Sequence, residues 1–284
     1  MEKNTMNDFI TTYIQGIEFK YNDEKDYEKD GHIYCKTCHK QVDGKPLDLF
    51  GKTVMIRMNC KCDEQRIAKA KEQEHRNKVL EIKRRCFIEQ SQENYTFENA
   101  DESTDQELLK KVKRYVEKFQ SMRERNLGLL IYGGVGTGKT YISCSIANAI
   151  IEKYLYECKV INFSQILNDL QKGGFTLDRN EYISDLTSKT LLVLDDFGIE
   201  RNTEYALEQI YNVINARYQK QKPTIITTNI DYQDITKEQT ELMMARIYSR
   251  IIEMSVPLKI VGEDRRKQKQ KQKIQEALKE LSSD

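Results

Sequence analysis

The run Gly133-Gly134-Val135-Gly136-Thr137-Gly138-Lys139-Thr140 spells G-x-x-x-x-G-K-T, with a strand-like apolar stretch before it and a helix-like stretch after it. That context makes it a phosphate-binding loop and commits the surrounding chain to alternating strands and helices. Glycines let successive backbone N–H groups curl toward one point, and this nest together with the following helix N-terminus forms an anion site. Gly133, Gly134, Val135, Gly136, Thr137 and Gly138 supply that cradle. Lys139 adds a point charge for the β- and γ-phosphates, and the Thr140 hydroxyl is a ligand for Mg²⁺. A nucleoside triphosphate with its magnesium ion is the expected ligand.

Leu127 to Tyr132 is the apolar run of a buried parallel strand, and Tyr141 to Tyr156 carries Ile142, Ile146, Ala149 and Ile150 at helical spacing. Four further apolar runs come after it, at residues 159–163, 191–194, 224–228 and 255–260, separated by helical segments such as Tyr205 to Gln219. Each connection is long enough for a crossover helix, so the expected fold is α/β with a parallel five-stranded sheet flanked by helices. Three compositional zones divide the chain: residues 1–62 hold a cysteine cluster, 63–100 form a charged helical linker, and 101–284 form the α/β domain, ending in one short helix.

Leu191 to Leu194 runs into Asp195-Asp196, a buried strand ending in two carboxylates. Asp195 is read as a water-mediated magnesium ligand and Asp196 as the group that polarises the attacking water. Asn229, at the tip of the 224–228 strand, is a neutral sensor between those acids and the γ-phosphate. Arg246 and Arg250 lie four apart on one helix face, and either can serve as a finger reaching a neighbouring subunit's nucleotide; Arg250 is the preferred candidate. Arg266, after the last strand, is the candidate sensor within the same subunit, beside the nucleotide.

Of seven cysteines, Cys35, Cys38, Cys60 and Cys62 cluster, whereas Cys86, Cys144 and Cys158 are scattered as small hydrophobes. C-x-x-C, 21 intervening residues and C-x-C give four soft ligands, enough for tetrahedral Zn²⁺. The second pair is tight, which leaves His32 or His39 as an alternative fourth ligand. A module with so few apolar residues would gain its fold from the metal.

The ordered set of phosphate loop, Asp195-Asp196, Asn229, Ser249-Arg250 and Gly262-x-x-x-Arg266 resembles the AAA+ ATPases of the bacterial DnaC/DnaI type, and Tyr95 to Asn99 looks like the segment leading into their ATPase domain. The resemblance covers about residues 95–270. It implies ATP hydrolysis that depends on assembly and loading of a hexameric, DnaB-type replicative helicase. It also implies single-stranded DNA binding, self-association through AAA+ interfaces, a short C-terminal lid, and an N-terminal zinc module that docks on the helicase. An IstB-type transposition helper, which binds DNA and a transposase, shares the AAA+ motifs; the N-terminal cysteines are unexpected in it.

A net charge of +1 with 32% charged residues gives no global field to announce nucleic acid, so DNA contact must come from local patches such as the Lys/Gln-rich run from Arg265 to Lys273. No run reaches the roughly 18 apolar residues of a membrane helix, and residues 1–30 are not shaped like a signal peptide, so a cytoplasmic location is expected. A small-molecule kinase would need a substrate lid between Asp196 and Asn229, where the sequence offers none.

Overall fold

The computed structural model describes residues 9–101, 104–172, 178–198, 203–239 and 241–281, leaving aside the side chains at 268, 269, 272 and 276. The start of the 1–62 zone and part of the Lys/Gln-rich run thus fall outside the described residues. The chain divides into two compact units at 77/78.

The first unit is built from three short antiparallel hairpins: β1 (Phe9–Ile14) with β2 (Ile17–Asn22), β3 (Asp26–Lys29) with β4 (His32–Cys35), and β5 (Asp43–Leu49) with β6 (Lys52–Arg57). Each turns on a residue-glycine pair with both φ angles positive: Gln15-Gly16, Asp30-Gly31 and Phe50-Gly51. These are the backbone angles that match the twist of a two-residue hairpin. Ile14, Phe19, Tyr21, Ile33, Val42 and Met55 form a small buried core that includes Cys35 and Cys60.

Helix α1 (Lys61–Cys86) comes next and spans the division between the units. Its mean face is polar, with Ile67 and Leu80 exposed, but Val79 is buried in the core of the second unit and Lys83 forms an ion pair with Glu152 at 2.6 Å. The expected linker of 63–100 is therefore corrected. Residues from 78 onward belong to the α/β unit, because Cys86, Phe87, Tyr95 and Phe97 pack into its core and Asn148 donates to the carbonyls of Gln92 and Tyr95, both at 2.9 Å.

The second unit contains α2 (Gln106–Glu117), α3 (Phe119–Glu124), β7 (Gly128–Tyr132), α4 (Lys139–Tyr154), β8 (Cys158–Asn162), α5 (Phe163–Lys172), α6 (Arg179–Ser188), β9 (Leu191–Phe197), α7 (Glu204–Gln219), β10 (Thr224–Thr228), α8 (Tyr232–Thr236), α9 (Leu242–Met254), β11 (Ser255–Lys259) and α10 (Arg265–Leu281). The five strands form one parallel sheet in the order β11-β7-β10-β9-β8. Both faces are buried over β7, β8, β9 and β10, which is why these strands read as unbroken apolar runs rather than alternating ones, whereas the edge strand β11 is largely exposed. Leu129, Ile131, Val160, Val193 and Ile225 face α2, α3 and α4; Leu130, Ile161, Leu192, Leu194 and Ile226 face α5, α7 and α9. At the amino ends of β9 and β10 the fully buried Arg217 donates to Thr224 Oγ1 (3.0 Å) and to the carbonyls of Thr187 (2.9 Å), Lys189 (2.7 Å) and Pro223. It fastens the strand ends opposite the phosphate loop.

β10 lies between β7 and β9, although it comes after both in sequence. The loops leaving the carboxyl ends of these three strands therefore open at one place, the position where open α/β sheets bind ligands.

Candidate functional site

The phosphate loop leaves β7 and enters α4. Gly138 begins the helix with φ 100° and Gly136 has φ 75°, angles that residues with a Cβ avoid. A Cβ on Gly136 would also lie 1.9 Å from Asp264 Oδ1, and the Gly136 carbonyl accepts from Arg265 N at 3.1 Å. The amino end of α10 is thus seated against the phosphate loop. The Arg265 guanidinium, reaching across Gly138, donates to Thr104 Oγ1 at 2.8 Å.

Lys139 is buried and its Nζ donates to the carbonyls of Gly133 (2.9 Å) and Gly134 (2.7 Å) and to Asn229 Oδ1 (2.6 Å). Burial lowers its pKa, opposed by Asp196 and Asp195 and assisted by the charge of Arg266. Thr140 Oγ1 donates to Asp195 Oδ2 at 2.8 Å. Lys139, Thr140, Asp195 and Asn229, drawn from three different connections, are brought together, and Asp196 and Arg266 lie within electrostatic reach of Lys139.

Asp195 is held on its other oxygen as well. Thr227 Oγ1 donates to Asp195 Oδ1 at 2.6 Å and accepts from Asp196 N at 2.9 Å. These contacts coincide with a bulge, for Ile226 pairs with Leu194 but Thr228 pairs with Phe197, so two acidic residues oppose one threonine. Asp196 takes the left-handed conformation (φ 55°), and Phe197 returns to the core face of Leu194. An inserted residue flips side-chain parity and re-aims the side chains beyond it. The bulge thus presents the Asp195 carboxylate and the Asp196 N–H to one threonine hydroxyl. Burial raises the pKa of Asp195, while the hydroxyls of Thr227 and Thr140 work the other way. Nothing in a run of β-branched residues distinguishes Thr227 beforehand, and sequence reasoning missed it.

Arg250 is not at this cluster. It lies on α9 with its guanidinium over the rings of Tyr211 (4.8 Å) and Tyr218 (5.6 Å) of α7, and Nη1 donates to the Arg246 carbonyl at 3.3 Å. Its buried Nε has no hydrogen-bond partner among the described residues. Arg246, one turn earlier, is exposed; both line a surface groove with Ser249 and Glu253.

In the first unit, the sulfurs of Cys35, Cys38, Cys60 and Cys62 lie within 4.8 Å of one another, and no histidine belongs to this set among the described residues. His32 Nδ1 is instead paired with Asp43 at 2.8 Å and His39 Nδ1 with the Tyr27 hydroxyl at 3.1 Å. A tetrahedron with Zn–S bonds of about 2.3 Å has edges of about 3.8 Å, which this spread accommodates. Burial would raise the Cys35 thiol, but the N–H groups of Cys38 and Thr37 bring it down to about 7; burial pushes Cys60 up to about 12. Asp63 Oδ2 accepts from Cys60 N (3.1 Å) and Cys60 Sγ (3.2 Å) and pairs with Arg57 (2.7 Å), whose other nitrogens grip the buried Asp26, both at 2.7 Å. The cysteine cluster is therefore tied into the hairpins by a buried charge network.

The whole arrangement is that of a nucleotide-binding AAA+ domain, and a family model described as "IstB-like ATP binding protein" matches residues 61–273. The chain belongs to that family. Among curated proteins it is 25% identical to the replicative helicase loader DnaI of Bacillus subtilis over 204 residues, 68% of this chain and 65% of that protein. It thus spans just under two thirds of DnaI. It is 26% identical to the replicative helicase loader DnaC of Escherichia coli K12 over 182 residues, 61% of this chain and 72% of that one. Among solved structures, a DnaI crystal structure aligns with a TM-score of 0.53 at 25% identity, covering 63% of this chain and 95% of the other. The structure of the DnaC helicase loader aligns with a TM-score of 0.51 at 25% identity, covering 61% and 100%.

Proposed function

We propose that this protein is an ATP-dependent loader of a hexameric, DnaB-type replicative helicase. The observation that carries the reading is the convergence of Lys139, Thr140, Asp195 and Asn229 at the carboxyl ends of β7, β9 and β10, in a chain whose similarity to DnaI and DnaC extends along more than half its length. Thr140 and Asp195 would hold Mg²⁺, which supplies charge neutralisation at the β- and γ-phosphate oxygens. Lys139, now bonded to loop carbonyls and Asn229, would turn to the phosphates and release the Asn229 amide to orient water. Asp196, set beside Asp195 in the bulge, would polarise that water. Arg266 would report on the nucleotide within the subunit. Arg250 would complete the site of a neighbouring subunit, in keeping with its place over Tyr211 and Tyr218 and beside the Arg246 carbonyl rather than among the hydrogen bonds of its own cluster. Hydrolysis would then depend on self-association.

The four cysteines would hold Zn²⁺ in the unit that docks on the helicase. Single-stranded DNA would be bound by the ATPase unit, with the exposed Arg266, Lys267, Lys271 and Lys273 of α10 as one basic surface. A cytoplasmic location follows from that role, and no described helix is long and apolar enough to cross a membrane. The family description favours a second reading, an IstB-like helper of a transposase. Cys35, Cys38 and Cys60 lie outside the matched residues 61–273 and argue for the loader. Binding of the full chain to a purified DnaB-type helicase ring, set against binding to a transposase of the insertion-sequence type, decides between them; binding to the transposase alone would refute the loader.

A further inference from the structure

The three hairpins of the first unit share one turn geometry and differ at one residue. The leading position of each turn is left-handed, with φ of 52° at Gln15, 53° at Asp30 and 51° at Phe50. Polar residues suit such turns; asparagine and aspartate are the usual choices because their short side chains tolerate this backbone. Phe50 breaks the pattern. It places an aromatic ring in a conformation that penalises it, at the tip of a hairpin, fully exposed to solvent.

The surrounding strands continue the anomaly. Leu47 pairs with Val54 and Leu49 with Lys52, so alternation puts Leu47, Leu49, Val54 and Ile56, with Lys52 at the tip end, on one face of the ribbon, opposite the buried Met55. Leu47, Leu49 and Ile56 are each exposed, and Val54 is partly so. A ribbon with a largely apolar outer face and a solvent-exposed aromatic tip leaves surface in water that a partner would bury, which is the mark of an interaction site. Lys45 and Lys52 flank it, are exposed, and make no ion pair among the described residues, while Asp48 accepts from Thr53. One aromatic ring among aliphatic neighbours is not the succession of rings that stacks nucleic-acid bases.

We infer that the β5–β6 hairpin is the docking element of the first unit and inserts Phe50 into an apolar cleft with an acidic rim on a partner protein, which under the proposed function is the helicase. The inference rests on that reading for the identity of the partner. Phe50→Asn gives the turn a residue that fits it better. The full-length variant should keep the wild-type thermal midpoint or exceed it, yet bind a purified DnaB-type helicase ring at least tenfold more weakly in an equilibrium titration. Lys52→Glu should weaken binding at low salt, with the effect fading as salt rises, as expected for a rim charge.

Wild-type binding that Phe50→Asn leaves unchanged overturns the docking element and leaves the loader reading standing. A wild-type chain that does not bind the helicase overturns the loader reading and this assignment with it. If Phe50→Asn instead changes the sedimentation of the chain alone, or reduces binding to single-stranded DNA while helicase binding persists, the occupant is a second copy or a nucleic acid and the inference is wrong.

Discussion

Thr227→Val removes one hydroxyl and leaves the side-chain volume nearly unchanged, so its consequences come from two hydrogen bonds. The buried Asp195 carboxylate loses its 2.6 Å donor and retains Thr140 on the other oxygen; the Asp196 N–H loses its 2.9 Å acceptor. A hydrogen bond to a charged group contributes about 1.5–3 kcal/mol, and an orphaned buried N–H costs about 1–3 kcal/mol. Solvent entering the gap recovers part of this, which leaves a destabilisation of about 2–4 kcal/mol. The bulge also loses the side chain that fixes its shape, and a displacement on the order of 1 Å in a catalytic group costs about 10²-fold in rate. Steady-state ATP turnover should therefore fall about 10- to 100-fold. KM should move less than about threefold, because Lys139 and the phosphate loop are untouched. Half-saturation by Mg²⁺ should rise, and Thr227→Ser, which keeps the hydroxyl, should recover most of the loss. Turnover and magnesium dependence like those of the wild type in Thr227→Val would refute the role of the bulge, whatever the variant's stability.

Arg250→Ala should preserve nucleotide affinity and lose most assembly-stimulated hydrolysis, because the guanidinium lies on Tyr211 and Tyr218 and not at its own phosphate loop; normal stimulated turnover would move the finger to Arg246. Elemental analysis of the purified chain should give close to one zinc per molecule, and stripping it should unfold the hairpin unit while the α/β unit keeps its nucleotide affinity. The acid limit of the first unit is set in part by Asp63. Burial alone would raise this carboxyl, but the Arg57 guanidinium and the Cys60 N–H hold it at about 2, below an unfolded value of about 3.9. Its contribution is therefore complete above about pH 4 and is lost as pH falls toward 2. Asp63→Asn should lower the thermal midpoint of the zinc-loaded first unit at neutral pH, where the pairing with Arg57 is complete; an unchanged midpoint would contradict the pairing.

The α/β unit was legible because four of its five strands are buried on both faces and its loop chemistry is confined to a few residue types. The expected runs at 159–163, 191–194 and 224–228 correspond to Cys158–Asn162, Leu191–Phe197 and Thr224–Thr228. The bulge was not legible. Asp195-Asp196 reads as a strand end, and only the register of β10 reveals that Thr227 faces both acids. Residues 86–100 were hidden for a related reason: their apolar members are too sparse to carry a period, and what fixes them is Asn148 and Tyr141, some fifty positions away in sequence. The hairpins of the first unit are short and charged, so alternation is weak. Gln15-Gly16, Asp30-Gly31 and Phe50-Gly51 were the available turn signals, two of them disguised by unusual first residues. Arg217 looks like any helical arginine until the carbonyls of Thr187, Lys189 and Pro223 are seen to converge on it.

If ATP in this protein serves to place a helicase ring, then transfer of a purified DnaB-type helicase onto circular single-stranded DNA should be stimulated by the wild-type chain with ATP. Lys139→Ala, which removes the side chain bound to Gly133, Gly134 and Asn229, should lose that stimulation. Transfer that the chain does not stimulate, or that Lys139→Ala stimulates equally well, would contradict it.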